Sequence, residues 1–170
     1  MITHEENKHA KNKQAKIKQQ GFTLVEVLMV VVIISVLAMI AIPKISSSSE
    51  GARKNADIAT AHQVKTALDR YQVENGIYPI AKEFSASNGT VTAAKFIPKY
   101  ITKLDARTTQ QETDDAQKGF GVAALGKDGL IPASSTPSNL IMIYLSADGS
   151  GAEVRAYNSK LDEVLWTSSN

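Results

Sequence analysis

One apolar run near the N-terminus constrains this chain more than anything else in it. From Phe22 to Ile42 the sequence reads FTLVEVLMVVVIISVLAMIAI, 21 residues with a single charge at Glu26. Wound as an α-helix it rises roughly 31 Å, close to the ~30 Å hydrocarbon core of a bilayer. The residues before it carry Lys8, Lys11, Lys13, Lys16 and Lys18 against Glu5 and Glu6, with almost nothing apolar. Lysines ahead of the span and none within it set the N-terminus in the cytoplasm and the remainder outside. A buried core helix does not fit, because the rest of the chain is too small to enclose a helix apolar on every side. A secretory signal peptide would have a shorter apolar region and an A-x-A-like site, whereas this run ends in Ala41-Ile42-Pro43-Lys44.

Glu26 is the anomaly. A carboxylate within a span costs about 2.5–3.5 kcal/mol on insertion scales, so it needs a partner. Cleavage between Gly21 and Phe22 would supply one, because the new α-amino group on Phe22 would lie four residues from Glu26. Ammonium and carboxylate could then neutralise one another, within one turn or between adjacent subunits. A plain signal anchor leaves Glu26 unexplained.

The order of these parts, a Lys-rich leader, Gly21-Phe22-Thr23-Leu24-Val25-Glu26, then an apolar run to Pro43, resembles a type IV prepilin. The same signature marks the pseudopilins of type II secretion and competence machines. The resemblance implies that a membrane peptidase cuts after Gly21 and methylates Phe22. It implies that Glu26 docks the subunit against its neighbour's N-terminus, and that Pro43 sits where the family's helix bends. Ser35 falls in the stretch that melts when such helices pack into filaments.

Proline at 43 removes a helix hydrogen bond and clashes one turn back, so a kink or local unwinding is expected there. Ser46 to Ser49 weaken the same neighbourhood; a short linker between anchor and domain is the alternative. Beyond them, Ile58, Ala61, Val64, Leu68 and Tyr71 recur at helical spacing. Arg53, Lys54, Asp57, Gln63, Lys65, Asp69 and Arg70 are the polar residues between them. Asn75-Gly76 and Pro79 stop the helix. ALDRYQVENGIYP is similar to the end of the long helix in major pilins and pseudopilins.

The remainder leans to β-structure. Asn88-Gly89, a short helix near Ala93 to Tyr100 and a polar TTQQETDD stretch make up a connecting region. FIPKYITKLD faintly resembles the connecting loop of major pseudopilins. Leu140–Leu145, Glu153–Tyr157 and Leu161–Thr167 read as three antiparallel strands, with Phe120–Ala124 a possible fourth, a minimal sheet that needs a helix on one face. The expected fold is therefore α+β, the pilin lollipop: a long helix, transmembrane then amphipathic, packed on a small antiparallel sheet. Its divisions are a cleaved leader at 1–21, a span and filament-core helix at 22–43, an amphipathic half at 44–75 and a head at 76–170.

Catalytic constellations are missing from the sequence. His4 and His9 lie in the leader and His62 on the helix, and there is no G-x-S-x-G elbow or P-loop. Gly119-Phe120-Gly121 lacks the strand and helix that a dinucleotide loop needs. Zero cysteines exclude a disulfide scaffold, a thiol nucleophile and a Cys-ligated zinc site. Aromatic residues at 6% are too few for a base-stacking platform. DGSGAE at 148–153 reads as a hairpin turn; the resemblance also admits calcium there through Asp148 and Glu153, with Asp128 and Asp162 nearby, although the EF-hand pattern is not met. No other cofactor is expected.

The charge balance follows the same division. The whole chain has 19 basic and 17 acidic residues, but from Phe22 onward there are 14 basic and 15 acidic, a net charge of −1. The pI near 8.7 thus comes from the leader, an orientation signal, and gives no support to a nucleic-acid site. The expected function is a structural subunit of a type IV pilus or related pseudopilus, and not an enzyme. It would be a single-pass N-in precursor in the inner membrane, then an extracellular or periplasmic filament. Its expected partners are copies of itself, the prepilin peptidase, the assembly platform and motor, and membrane lipid before assembly. The alternative is an anchored extracytoplasmic binding module that never polymerises.

Overall fold

A computed structural model of the chain describes residues 21–169. The leader expected at 1–21 therefore lies outside the described residues except for Gly21. The chain forms two compact units that divide between Ile42 and Pro43.

The first unit consists of the opening turns of helix α1, which runs Leu24–Asn75. Residues 22–42 are exposed apart from Ala38, which is half-buried, as befits a helix whose apolar side chains meet no other part of their own unit. The β-branched Val and Ile that fill this run are mediocre helix formers in water. An apolar surrounding favours the helix instead, because every backbone group must then bond within the segment. Ser35 obeys the same demand, its hydroxyl donating to the Val31 carbonyl at 2.7 Å.

Helical structure continues through Pro43 and the serines without interruption, so the local unwinding expected at Pro43 is not present in the single chain. Ser47 Oγ donates to the Lys44 carbonyl.

In the second unit, α1 buries Asp57, Ala61, Val64, Ala67, Leu68 and Tyr71. Ala61, Val64, Leu68 and Tyr71 are members of the expected stripe, Ile58 is only half-buried at its edge and Ala67 joins it; Asp57 is a correction, since it belongs to the buried face and not to the solvated one. Helix α1 ends where Gly76, at φ 79°, takes a left-handed conformation that a side chain would strain, and its N–H bonds the Gln72 carbonyl at 2.7 Å.

A four-stranded sheet follows the order β3-β4-β5-β6, with β3 at Phe120–Ala124, β4 at Ile141–Leu145, β5 at Ala152–Tyr157 and β6 at Val164–Thr167. Strands β4, β5 and β6 are antiparallel neighbours as expected. Strand β3 joins parallel to β4, with Phe120 opposite Ile141 and Ala124 opposite Leu145. A parallel partner needs a long crossover, and residues 125–140 supply it as loop. The last strand begins at Val164 and not at Leu161, because Leu161 sits at φ 60° in the preceding turn.

Alternation along β4 sends Ile141, Ile143 and Leu145 to a core shared with α1, Phe120, Val154 and Ala156. Met142 and Tyr144 face the other way, where Leu125 and Tyr157 complete a second cluster flanked by Ile131 and Leu161. The crossover loop thus contributes Ile131 to the face that the helix does not reach.

A hairpin of β1, Ser85–Ser87, and β2, Thr90–Thr92, turns at Asn88 and Gly89. Both have positive φ, at 48° and 71°, which matches the twist of a two-residue turn. The hairpin closes on the sheet where the Phe120 N–H bonds the Gly89 carbonyl at 3.0 Å. The helix expected at Ala93–Tyr100 is a succession of turns, since Pro98 has no N–H to continue one.

Candidate functional site

Thr23 and Glu26 make the start of α1. The Thr23 hydroxyl accepts the Glu26 N–H at 3.2 Å and donates to Glu26 Oε2 at 3.0 Å, while the Thr23 N–H bonds the same oxygen at 3.0 Å. This is a capping box, in which residues three apart satisfy each other's free donors at a helix N-terminus. Its signature, Thr-x-x-Glu, was readable in the sequence, yet the sequence reading used Glu26 alone and missed Thr23. The carboxylate that the sequence left without a partner therefore has one in the uncleaved chain.

Immediately before the box, Gly21 and Phe22 lie outside the helix and are exposed, Phe22 at 85%. No atom comes within 4 Å of where a side chain on Gly21 would begin. After the box, the apolar helix has the length and composition to cross a membrane, with none of that stretch buried.

The remaining candidates behave differently. Asp148 closes its own turn by accepting the Ser150 N–H at 3.0 Å; hydrogen bonds from Ser150 and Ser146 hold its carboxyl down at about 2. Glu153 is nearly buried on β5, where burial would raise its pKa. Hydrogen bonds from Arg155 at 2.6 Å and the Thr167 hydroxyl at 3.0 Å bring it below the ordinary value instead. Oε1 of Glu153 is thus engaged within the sheet. Among the described residues, no three His, Asp or Glu side chains gather as a metal site. His62 is exposed and lies against Trp166, ring centroids 4.0 Å apart.

The polar contacts of the head fasten its loops to α1. Tyr78 donates to Asp69 Oδ1 at 2.9 Å, beside the Lys65–Asp69 ion pair. Burial first, and Asp69 next, raise the Tyr78 pKa. Tyr100 donates to Glu74 at 2.7 Å and, with Lys99, lowers the Glu74 pKa. The sequence reading also missed Asp57, which accepts from the connecting segment at Gln110 and Gln111. No sequence signal separates it from the solvated acids beside it on the helix.

Comparison with known families finds a match at the N-terminus. The family described as Prokaryotic N-terminal methylation motif matches residues 16–42. The chain is 29% identical over 122 residues to the type II secretion system core protein G of Pectobacterium carotovorum subsp. carotovorum, covering 66% of this chain and 78% of that protein. These matches support the resemblance to type IV prepilins and pseudopilins. Proteins of the same name in Escherichia coli strain K12 and in Vibrio cholerae serotype O1 are 37% identical over 65 residues and 39% over 61. These matches cover 38% and 36% of this chain, and 45% and 42% of those proteins. The chain thus spans less than half of the two shorter-matching relatives. No solved structure matches it.

The capping box and the start of the exposed apolar helix lie inside the matched motif.

Proposed function

We propose that this chain is the precursor of a pseudopilus or related type IV filament subunit, and that it works by assembly rather than catalysis. The observation that carries the reading is the exposed apolar helix that begins in the Thr23–Glu26 box directly after an accessible Gly21–Phe22 bond. The divisions are a leader at 1–21, a span at 22–43, an amphipathic half at 44–75 and a head at 76–170. The leader holds the N-terminus in the cytoplasm while the helix lies in the inner membrane. A prepilin peptidase removes it after Gly21 and Phe22 becomes the methylated N-terminus.

Cleavage changes what Glu26 meets. In the precursor its carboxylate bonds to Thr23; in the mature chain a cationic amine two residues before the helix competes for it. An amine from a neighbouring subunit can take the same place, fixing the register of packed helices. Helix packing exchanges lipid for protein at similar apolar cost, so the polar contact selects the register. Pro43 is the joint at which α1 bends once packed. Assembly platform and motor draw the subunit from the membrane into the periplasm, and in type II secretion the product would be a pseudopilus.

The mass of the N-terminal peptide tests this. A chain that starts at Phe22 with one added methyl, obtained when a prepilin peptidase is co-expressed, is the expected result. An intact Met1 under those conditions would refute the reading and leave a simple anchored module. Replacing Gly21 by Trp should leave uncleaved precursor in the membrane.

A further inference from the structure

We infer that residues 109–113 form a strap latched to α1 by Asp57, and that this strap opens as a unit while the sheet stays folded. Asp57 is fully buried. Its Oδ1 accepts the Gln110 N–H at 2.6 Å, and its Oδ2 accepts the Gln111 N–H at 3.2 Å and the Gln111 side-chain amide at 3.0 Å. Among the described residues no Lys, Arg or His forms an ion pair with it. Its charge is therefore balanced by N–H dipoles of the strap alone, and moving the strap would leave it bare.

The rest of the attachment is polar too. Gln111 Nε2 also donates to the Tyr157 carbonyl at 3.0 Å, so one amide nitrogen bridges helix and β5. Thr113 Oγ1 donates to the Ser159 carbonyl at 2.7 Å, and Arg53 pairs with the exposed Glu112. The sequence from Thr109 to Asp115 is TQQETDD and offers no apolar side chain to the core. Its neighbours are held otherwise: Val91 and Leu104 before it and Phe120 after it are all core residues. Water can replace hydrogen bonds as it cannot replace buried apolar contacts, so segments held by polar contacts open locally.

Two further observations point the same way. Gln111 Oε1 is the one buried side-chain polar atom without a partner among the described residues, and opening would hydrate it. Open clefts flank the strap on both sides. One is lined by Ser49, Glu50 and Ser159, the other by Asn88, Arg107 and Lys118, and Gln111 and Glu112 line both. A satisfied carboxylate closes the latch and an orphan carbonyl opposes it, which is the arrangement of a two-state element.

Amide hydrogen exchange of the full chain in detergent micelles tests this, with Asp57→Asn as the nearly isosteric variant that turns an N–H₂ toward the strap donors. The expected result is exchange over 109–118 at least about tenfold faster, with 141–157 unchanged. Glu112→Ala, which removes only the exposed ion pair, should change the strap by less than about twofold. Unchanged strap exchange in Asp57→Asn, acceleration of strap and sheet together, or an equal effect of Glu112→Ala would each overturn the latch. The unaltered chain gives an independent reading if Asp57→Asn does not fold. In low denaturant the Gln110 and Gln111 amides should exchange with little denaturant dependence, separately from those of β4; merging with β4 would overturn the inference.

Discussion

Leu68→Ala separates the two faces of α1 quantitatively. Leu68 is fully buried among the strands, whereas Val73, five residues on in the same helix, is 84% exposed. Truncating a buried leucine removes its transfer free energy and leaves a cavity, about 3 kcal/mol for a site of this kind. The unit from Pro43 to Asn170 gains on the order of 0.27 kcal/mol/K of entropy on unfolding, taken at about 2.1 cal/mol/K per residue. The melting temperature should therefore fall by about 11 °C. Val73→Ala removes nothing from the core and should stay within about 2 °C of the parent. Fluorescence of Trp166, the single tryptophan, reports the transition because its ring packs on His62 of the helix. Equal shifts for the two variants, or a Leu68→Ala shift below about 4 °C, would refute the assignment of this stripe to the core.

Glu26→Ala should leave membrane insertion and cleavage intact but reduce or abolish filaments, seen by N-terminal mass and by yield of sheared filaments; normal yield would sink the docking role. Gly89→Ala should destabilise by about 3 kcal/mol or more, because a Cβ there would stand 2.0 Å from the Lys118 carbonyl oxygen at positive φ. Gly76→Ala, with the same sign of φ but open space around it, should cost only about 1–2 kcal/mol, and urea melts of the two distinguish crowding from backbone strain. Asp148 has its pKa lowered from 3.8 to about 2 by Ser150 and Ser146, so its contribution is present above pH 4 and is lost as pH falls toward 2. Asp148→Asn should flatten the decline in melting temperature over that window, and an unchanged slope would show the turn bonds to be without effect.

The sequence was most informative where one physical demand governs a whole stretch. An apolar run of bilayer length, a helical stripe and a turn-bounded apolar strand each have a period or length that local chemistry dictates. Asp57 shows where that stops. Burial of a carboxylate depends on donors that sit 53 and 54 residues later in the chain, and helix periodicity describes only the helix. The parallel pairing of β3 is legible no earlier, because its register is set by the path of a loop with no period of its own. At the N-terminus the reverse held: Thr23 and Glu26 are three residues apart, the local pattern sufficed, and attention to the charge alone overlooked the hydroxyl.

The contact between His62 and Trp166 has a consequence for biosynthesis. The stripe from Ile58 to Tyr71 is made well before β4, β5 and β6, which cover it. Trp166 follows His62 by roughly a hundred residues, and at about 5–20 residues per second the helix side of this contact emerges about 5–20 seconds ahead of the last strand. During that interval a second apolar surface, besides the span itself, stands open to solvent. Any factor that shields nascent chains thus has a defined target in this one, the 58–71 face of α1, and its release is timed by the arrival of the last strand.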